Sequence, residues 1–432
     1  MAAVGPRVRD EAVELLRELI RLDTVNPPGN ETLAAELLRG YLEESGVECE
    51  LLAKVPERAN LVARIPGGDG PSLAFLSHTD TVLADPAEWD RDPWSGDLVD
   101  GEVWGRGALD MKGQVAASAV ALASLAREGF QPSGDLIFVA SADEEVGDDY
   151  GVSWLCREHP EAIRADYCVN EGGGDRIAVD GRHLYLCATA EKMSSPFLLR
   201  VRGRSGHASM PGIADNALVR AGRLVDRLGG FAQPPRLLPE TKAFFETFGD
   251  APSVEEVADR LDALEPAVRA MVEPMLAMTI SPTMIKASER RNVIPAICDV
   301  VCDCRLLPGQ TQEEAARAIR ECLGEDNYEV EWVEGVGGTS SPLDTPLWSA
   351  IEDFVSGEEP GAAITPVVLP GFTDSHFVRA AFGTIAYGFF PMRTMEPEVA
   401  AKLIHSADER IPVADLELGA RFLVHVARTL LR

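Results

Sequence analysis

The pattern of hydrophobic and polar positions predicts one order of strands and helices before about residue 192 and a different order after it. Before that point, short apolar runs at 72–77 (SLAFLS) and 136–141 (LIFVAS) are followed by stretches with apolar residues at helical spacing, near 112–127 and 150–158. Strands and helices in alternation predict an α/β fold with a central, mostly parallel sheet.

The pattern after residue 192 predicts a second kind of structure. A strand (FLLRVRGRSG), a helix (NALVRAGRLVDRL), two strands, a helix (TQEEAARAIREC) and a strand (YEVEWVEG) follow one another. This βαββαβ order is typical of a compact, ferredoxin-like α+β unit. We therefore predict a main domain in two parts, 1–191 and 338–432, interrupted by an inserted domain at 192–337 with extra helices at about 231–278.

Composition narrows the classes of function. A chain of 432 residues with 46% hydrophobic and 25% charged residues suits two globular domains. The net charge of -30 argues against nucleic-acid binding, which needs a basic surface. The sequence has neither an apolar run long enough for a membrane span nor an apolar signal core near its start. We expect a cytoplasmic protein with no membrane partner, whose eight scattered cysteines are packing thiols.

Acidic and imidazole side chains follow the predicted strands or precede the predicted helices. In chain order they are His78, Asp80, Asp110, Glu144, Glu145, Glu171 and His405. Ligands of open α/β sheets bind at the carboxyl ends of the strands, so we expect these side chains to converge on one crevice. Three consecutive acidic residues in SADEEVG (141–147) make the concentration of negative charge there especially high.

Converging carboxylates require cations, because like charges a few ångström apart cannot all remain ionised. Imidazole and carboxylate ligands without cysteine suit Zn²⁺, with Co²⁺ or Mn²⁺ as alternatives. Two histidines and three carboxylates exceed one tetrahedral zinc with an open position. They suit two metals about 3.5–4 Å apart that share one carboxylate. Asp80, two residues after His78, is placed to hold the second ring nitrogen of that histidine.

At these residues the sequence resembles the M20 family of metallopeptidases, the group of aminoacylases, carboxypeptidases, acetylornithine deacetylase and succinyl-diaminopimelate desuccinylase. The matching segments extend over nearly the whole chain. They are SHTDTV, WDRDPWSGDLVDGEVWGRGALDMKG, ADEEVG, NEGG, GRSGHASMP, NVIP, CDCRLLPGQT and HSADERIP. The resemblance implies a zinc-exopeptidase-like catalytic domain, and it makes the insertion at 192–337 a lid that also serves dimerisation.

The resemblance also implies a role for each residue of the crevice. His78 and Glu171 would be the terminal ligands of one metal, Glu145 and His405 those of the other, and Asp110 the bridge. Asp80 would orient His78, and Glu144 would be the general base that activates a metal-bridging water. The family often has a cis peptide after the bridging aspartate, here between Asp110 and Met111.

Residues of the lid and of one late segment match positions that bind substrate in the family. His207 would polarise the substrate carbonyl, in dimeric members from the neighbouring subunit. Asn292 and Arg305, on two adjoining lid strands, would clamp a substrate carboxylate. Thr373 lies in GFTDSHF, where many members have GGTD followed by an arginine; this chain has Phe372 and His376 there instead.

Together these features predict an enzyme that uses two Zn²⁺ ions to cleave an amide bond next to a free carboxylate. Its substrate would be a small molecule, an N-acyl amino acid or a short peptide, and its assembly a homodimer through the lid. The alternative within the family is an acetylornithine deacetylase or succinyl-diaminopimelate desuccinylase. A non-catalytic binding protein would have lost the base or a ligand, whereas all of these positions are filled.

Overall fold

The structure is a computed structural model that describes residues 5–147, 149–179 and 181–432. Up to Glu191 its elements are α1 Gly5–Ile20, α2 Thr32–Glu43, β1 Glu48–Ala53, β2 Ala59–Ile65, β3 Leu73–His78, β4 Asp97–Val99, β5 Glu102–Trp104, α3 Lys112–Arg127, β6 Leu136–Ser141, α4 Val152–Glu158, α5 Pro160–Ile163, β7 Tyr167–Asn170, β8 Arg176–Val179 and β9 Arg182–Glu191. Next come β10 Met193–Ser194, β11 Phe197–Arg202, β12 Gly206–His207, α6 Ala217–Gly229, α7 Pro239–Glu246, α8 Val257–Asp262, α9 Pro266–Val272, β13 Thr279–Lys286, β14 Val293–Ile294, β15 Ile297–Leu306, α10 Gln312–Leu323, β16 Tyr328–Trp332 and β17 Val336–Gly337. The last elements are α11 Pro346–Glu358, β18 Ala363–Leu369, α12 Ser375–Phe382, β19 Ile385–Gly388, α13 Pro397–Leu403, β20 Arg410–Pro412 and α14 Val413–Leu430.

Residue contacts divide the chain into two compact units. The first unit runs up to Thr189 and includes Ser341–Val367 and Thr373–Arg432. The second unit is formed by Ala190–Ser340 and Val368–Phe372. Within the described residues, no helix is both long and apolar enough to cross a membrane.

The main sheet of the first unit is mixed. Its strand order is β1-β2-β6-β3-β7-β19-β9-β18, with β8 paired to β9. The centre is parallel as predicted, because β3 pairs in parallel with β6 and β7, and β19 pairs in parallel with β7. The flanking pairs β1–β2, β2–β6 and β9–β19 are antiparallel. The prediction of a mostly parallel sheet thus holds for the central strands only. A connection as short as 54–58, between β1 and β2, permits only an antiparallel pair.

The central strands are buried on both faces, as parallel strands usually are. All residues of β3 and β6 are buried, which explains why both read as continuous apolar runs rather than as alternating patterns. Helix α3 packs against α1, α14 and β3, and its alanine-rich sequence KGQVAASAVALASLAR lets it lie buried on nearly all sides. The start of α3 is thereby fixed beside the end of β3.

The second unit has the predicted βαββαβ order, β11-α6-β13-β15-α10-β16. Its sheet has the order β16-β11-β15-β10-β17, with β13 paired to β15, and helices α6 and α10 share one apolar core with these strands. Cys298, Cys302 and Cys304 are buried in that core as free thiols. The extra helices expected at about 231–278 are α7, α8 and α9.

Candidate metal centre

The candidate site lies in the first unit, where the parallel strands end. His78 is the last residue of β3, DEE (143–145) follows β6, and Glu171 follows β7. Asp110 directly precedes Met111 and α3, and the peptide bond between Asp110 and Met111 is cis, as the resemblance implies. His405 follows α13 with a backbone φ of 58°. Neighbouring parallel strands bring these residues to one edge of the sheet.

Two groups of side chains there present ligand atoms that converge. One group is His78, Asp110 and Glu171, and the other is Asp110, Glu145 and His405. Within each group the ligand atoms all lie within 4.8 Å of one another. Asp110 belongs to both, and its Oδ1 lies 3.1 Å from Nε2 of His78 while its Oδ2 lies 3.0 Å from Nε2 of His405. The structure therefore brings together all five side chains that the sequence suggested as metal ligands.

The donor set fits divalent metals. Each group offers one imidazole nitrogen and carboxylate oxygens, a combination that suits Zn²⁺, Co²⁺ or Mn²⁺. Nδ1 of His78 lies 3.0 Å from the backbone oxygen of Asp80 and 3.4 Å from its Oδ1, so Nε2 is the nitrogen turned to the group. Oε1 of Glu145 is buried and has no hydrogen-bond partner among the described residues, which leaves a lone pair for a cation.

The electrostatics of the site indicate excess negative charge. Hydrogen bonds to Asp110 and Glu145 raise the pKa of His405 to about 10. Burial acts to raise the pKa of Asp110, yet hydrogen bonds from His405 and His78 hold that pKa below its usual value. The carboxylates thus favour protons on the neighbouring imidazoles when no cation is bound. A divalent cation would compensate the same charge in place of those protons.

Glu144 belongs to neither group of ligands. Its side chain is half-buried, and burial, followed by the carboxylate of Glu171, raises the pKa of Glu144 well above its usual value. A carboxyl group beside a cluster of potential metal ligands, but outside it, is a candidate for a general base. The adjacent residues Glu144 and Glu145 therefore differ, since only Glu145 belongs to a group of potential ligands, as the resemblance implies.

Asp80 contacts more than the histidine that it was expected to orient. Its Oδ1 accepts the backbone N–H of Glu144 at 3.2 Å, and its Oδ2 accepts the backbone N–H of Glu145 at 3.1 Å. Nδ2 of Asn26 donates to the same Oδ2 at 2.9 Å. Asp80 is fully buried, so one carboxylate joins the end of β3 to the segment that follows β6.

Two acidic residues of this region had no assigned role in the sequence. Asp143 is buried in a left-handed conformation, with φ of 67°. Fully buried Glu409 accepts the N–H groups of Gly107, Leu109 and Asp110 and pairs with Arg106 at 2.6 Å. It therefore holds the segment that carries Asp110. The only signal in the sequence was that both acids lie inside matched segments, ADEEVG and HSADERIP.

The proposed substrate residues of the lid lie in two places. His207 is in β12, which pairs with β14, and the N–H of Ala208 donates to the backbone oxygen of Asn292 at 3.0 Å. Asn292 was expected on a strand adjoining the one with Arg305, which is wrong. Asn292 lies in the turn before β14, and β14 pairs with β12, whereas Arg305 is on β15.

Arg305 and Thr373 have partners within their own units. The guanidinium of Arg305 binds the carboxylate of Asp303 through Nε and Nη2, both at 3.0 Å. Oγ1 of Thr373 accepts the N–H of Ser375 at 3.2 Å and an N–H of the Asn170 side chain at 3.4 Å. Asn170 directly precedes Glu171.

His207 is exposed, and its Nδ1 lies 2.7 Å from Oγ of Ser209.

Known proteins resemble this chain over nearly its whole length. The family model of peptidase family M20/M25/M40 matches residues 74–429. Succinyl-diaminopimelate desuccinylase of Methylobacterium sp. (strain 4-46) is 30% identical over 418 residues, which cover 93% of this chain and 92% of that protein. Aminoacylase-1 of Sus scrofa is 26% identical over 424 residues, which cover 95% and 93%. The solved structure of the M20 family metallo-carboxypeptidase Sso-CP2 from Sulfolobus solfataricus has a TM-score of 0.75 and 17% identity, covering 98% of this chain and 99% of that chain.

Proposed function

The chain belongs to peptidase family M20/M25/M40, and from this premise we propose that it is a dinuclear metal hydrolase of amide bonds next to a free carboxylate. The observation that supports this proposal most directly is that Asp110 belongs to both groups of ligand atoms. A shared carboxylate is what two metals a few ångström apart require. The proposed substrates are N-acyl amino acids or short peptides, as for aminoacylases and carboxypeptidases.

In this proposal His78 and Glu171 would hold one zinc, Glu145 and His405 would hold the other, and Asp110 would be shared by both. Bound zinc supplies Lewis-acid activation of water and of the substrate carbonyl. Co²⁺ and Mn²⁺ suit the same ligands. Asp80 keeps Nε2 of His78 turned to the metal by contacting its Nδ1.

Glu144 is proposed to move the proton. Its carboxylate takes a proton from the attacking water and gives it to the nitrogen of the departing amine, so that the base of the first step is the acid of the second. The half-buried position of Glu144 directly before Glu145, and its absence from both ligand groups, support this role. The N–H contact of Glu144 with Asp80 fixes its backbone beside the ligands.

Substrate binding is proposed for His207, Asn292, Arg305 and Thr373 on the strength of the family resemblance. Arg305 already grips a carboxylate with two nitrogens in its pair with Asp303, and a substrate carboxylate would offer the same planar partner. His207 is exposed and is proposed to polarise the scissile carbonyl. A homodimer formed through the lid (192–337) is part of the same proposal.

Apolar side chains beside the ligands favour a substrate with an apolar group. Val146 directly follows Glu145 and is 62% exposed, and Ile404 directly precedes His405 and is 42% exposed. His376 stands where many members have an arginine, and burial followed by the charge of Arg379 lowers its pKa. A neutral imidazole offers no positive charge to a second carboxylate of the substrate.

The second candidate function is a deacylase of the acetylornithine deacetylase or succinyl-diaminopimelate desuccinylase type. The observation that favours it is the 30% identity to a succinyl-diaminopimelate desuccinylase over 93% of this chain. Such substrates carry additional charged groups, whereas the exposed apolar residues Val146 and Ile404 directly adjoin Glu145 and His405 in the chain. This contrast between substrates can be measured directly.

A hydrolysis panel tests the proposal. Purified protein loaded with zinc, cobalt or manganese is incubated with N-acetyl and longer N-acyl amino acids, dipeptides, N-acetylornithine and N-succinyl-diaminopimelate. We expect hydrolysis of N-acyl amino acids or dipeptides, with a lower KM for apolar members. Preferred hydrolysis of the succinyl compound would establish the second function instead. Binding of two metals with no hydrolysis across the panel would contradict both.

A further inference from the structure

Asp143 lies at the centre of a buried network that the proposed mechanism does not use. Nδ2 of Asn26 donates to Oδ1 of Asp143 and to Oδ2 of Asp80, at 2.9 Å each. All three residues are at least 96% buried, with Asp143 the most exposed at 4%. The neutral side-chain amide of Asn26 therefore connects two carboxylates. Because an ionised carboxylate only accepts hydrogen bonds, the amide donates to each of them, which uses both of its N–H groups.

A buried ion pair also holds Asp143, at the oxygen that accepts from Asn26. Arg58 binds both oxygens of Glu31, at 2.8 and 2.5 Å, and its Nη2 also lies 2.9 Å from Oδ1 of Asp143. The backbone N–H of Asp143 donates to Glu31 at 3.2 Å. Gly29 leaves room for this arrangement, because a Cβ built there would lie 2.3 Å from Nε of Arg58. The positive charge of Arg58 compensates acids that would otherwise repel each other.

The left-handed conformation of Asp143 turns the chain as it leaves β6. The next two backbone N–H groups, of Glu144 and Glu145, consequently both reach the carboxylate of Asp80. We propose that Asn26 and Asp143 are positioning residues, which hold the base Glu144 and the ligand Glu145 in register with His78 through Asp80. This inference rests on the proposed function, since it concerns residues that act on the metals.

A positioning role and a merely structural role make different predictions. Loss of a structural contact lowers stability and leaves the affinity for metal unchanged. Loss of a residue that orients a ligand typically costs about 10–100-fold in metal affinity or activity. His78 keeps its 3.0 Å contact with the backbone oxygen of Asp80 in these variants, whereas the N–H of Glu145 donates to the Asp80 side chain, so the loss should fall mainly on the site of Glu145.

Three variants separate the side chain of Asp143 from its backbone conformation. Asp143→Gly removes the carboxylate, while glycine adopts a positive φ without strain. Asp143→Asn keeps an oxygen that can accept from Asn26 and Arg58, and asparagine tolerates this conformation. Asn26→Ala removes the amide that joins Asp143 to Asp80 and leaves Asp143 itself in place, and it serves as the second test if Asp143→Gly does not fold.

The matched control is Arg421→Gln. It breaks a two-nitrogen pair between Arg421 and Glu358, at 2.5 and 2.7 Å, on helices α14 and α11, which carry none of the proposed ligands. Calorimetric titration of each metal-free variant with Zn²⁺ gives the two affinities, and thermal unfolding gives stability.

We expect Asp143→Gly and Asn26→Ala to bind one zinc as the wild type does and the second about 10–100-fold more weakly. Asp143→Asn should recover most of that affinity, and Arg421→Gln should lose stability but bind both ions normally. Wild-type affinity for both ions in Asp143→Gly and Asn26→Ala, with stability lowered as in the control, would overturn this inference alone. A wild-type protein that binds no zinc would overturn the proposed function and this inference with it.

Discussion

Oδ2 of Asp110 lies 3.0 Å from Nε2 of His405, and the other oxygen of the same carboxylate faces His78. Asp110 is thus the only residue common to the two groups of potential ligands among the described residues. Replacing it by alanine removes a ligand from both groups. We expect elemental analysis of purified Asp110→Ala to find fewer than about one metal per chain, against about two in the wild type. Two tightly bound metals in this variant would contradict a bridging role.

Glu144→Ala should abolish turnover and leave the metal content near that of the wild type. Its carboxylate belongs to neither ligand group, so its loss removes the proton acceptor alone. The expected fall in kcat is about 10²–10⁴-fold, the usual contribution of a positioned acid or base. Metal analysis of the same preparation is the control, and loss of metal would show that Glu144 is a ligand.

Glu145→Ala should weaken one metal site and spare the other. Oε2 of Glu145 lies 3.1 Å from Nε2 of His405, in the group that does not contain Glu171. Titration of the metal-free variant with Zn²⁺ should therefore show one site of normal affinity and one weakened site. The matched variant Glu171→Ala should weaken the opposite site, and undiminished occupancy in either variant would refute that assignment.

Glu409→Ala should reduce the free energy of unfolding by about 3–5 kcal/mol, since it leaves Arg106 as an unpaired buried charge. Three backbone N–H groups of the segment before α3 also lose their acceptor. The control is Glu102→Ala, whose pair with Arg410 is half-exposed and should contribute less than about 1 kcal/mol. Urea unfolding of the metal-free proteins measures both changes. Equal effects would show that Glu409 does not support this segment.

Stability should rise with pH through the titration of Lys192. Its buried Nζ donates to the backbone oxygens of Pro274 and Ala277 and to Thr279, and burial lowers its pKa to about 8. The pKa of an unfolded lysine is about 10.4, so between these values the unfolded chain binds more protons and stability increases as pH rises. The slope should reach up to about 1.4 kcal/mol per pH unit.

The comparison of Lys192→Met with wild type isolates that contribution. Between about pH 8 and 10, the difference in unfolding free energy between the wild type and Lys192→Met, measured with urea, should increase with pH, because other groups with shifted pKa values, such as Lys112, contribute equally to both proteins. Lys242→Met, which removes an exposed lysine from α7, should retain the rise. A rise of equal slope in both variants would assign the pH dependence to other groups.

The sequence predicted those parts of the structure that depend on local patterns. Buried strands appear as apolar runs, and the proposed ligands His78 and Glu171 lie at the end of such a run or directly after it, so both could be located from a few residues of sequence. The parallel arrangement of the central strands then explains how five separated side chains meet at one edge of the sheet.

Contacts between distant segments could not be predicted in the same way. Asn26 and Asp143, which are hydrogen-bonded, are 117 positions apart in the sequence. Glu409 accepts a hydrogen bond from the backbone N–H of Asp110, which is 299 positions away. No local pattern shows which acid will be buried against which donor. The strand pairing of β14 was missed for a similar reason, since a strand of two residues, Val293–Ile294, has no readable periodicity.

The most direct test of the central claim is a crystal structure of the zinc-loaded protein, measured at the zinc absorption edge. The account predicts two anomalous peaks about 3.5–4 Å apart, with the carboxylate of Asp110 between them. One peak should be bounded by His78 and Glu171 and the other by Glu145 and His405. A single peak, or two peaks that do not share Asp110, would contradict the account.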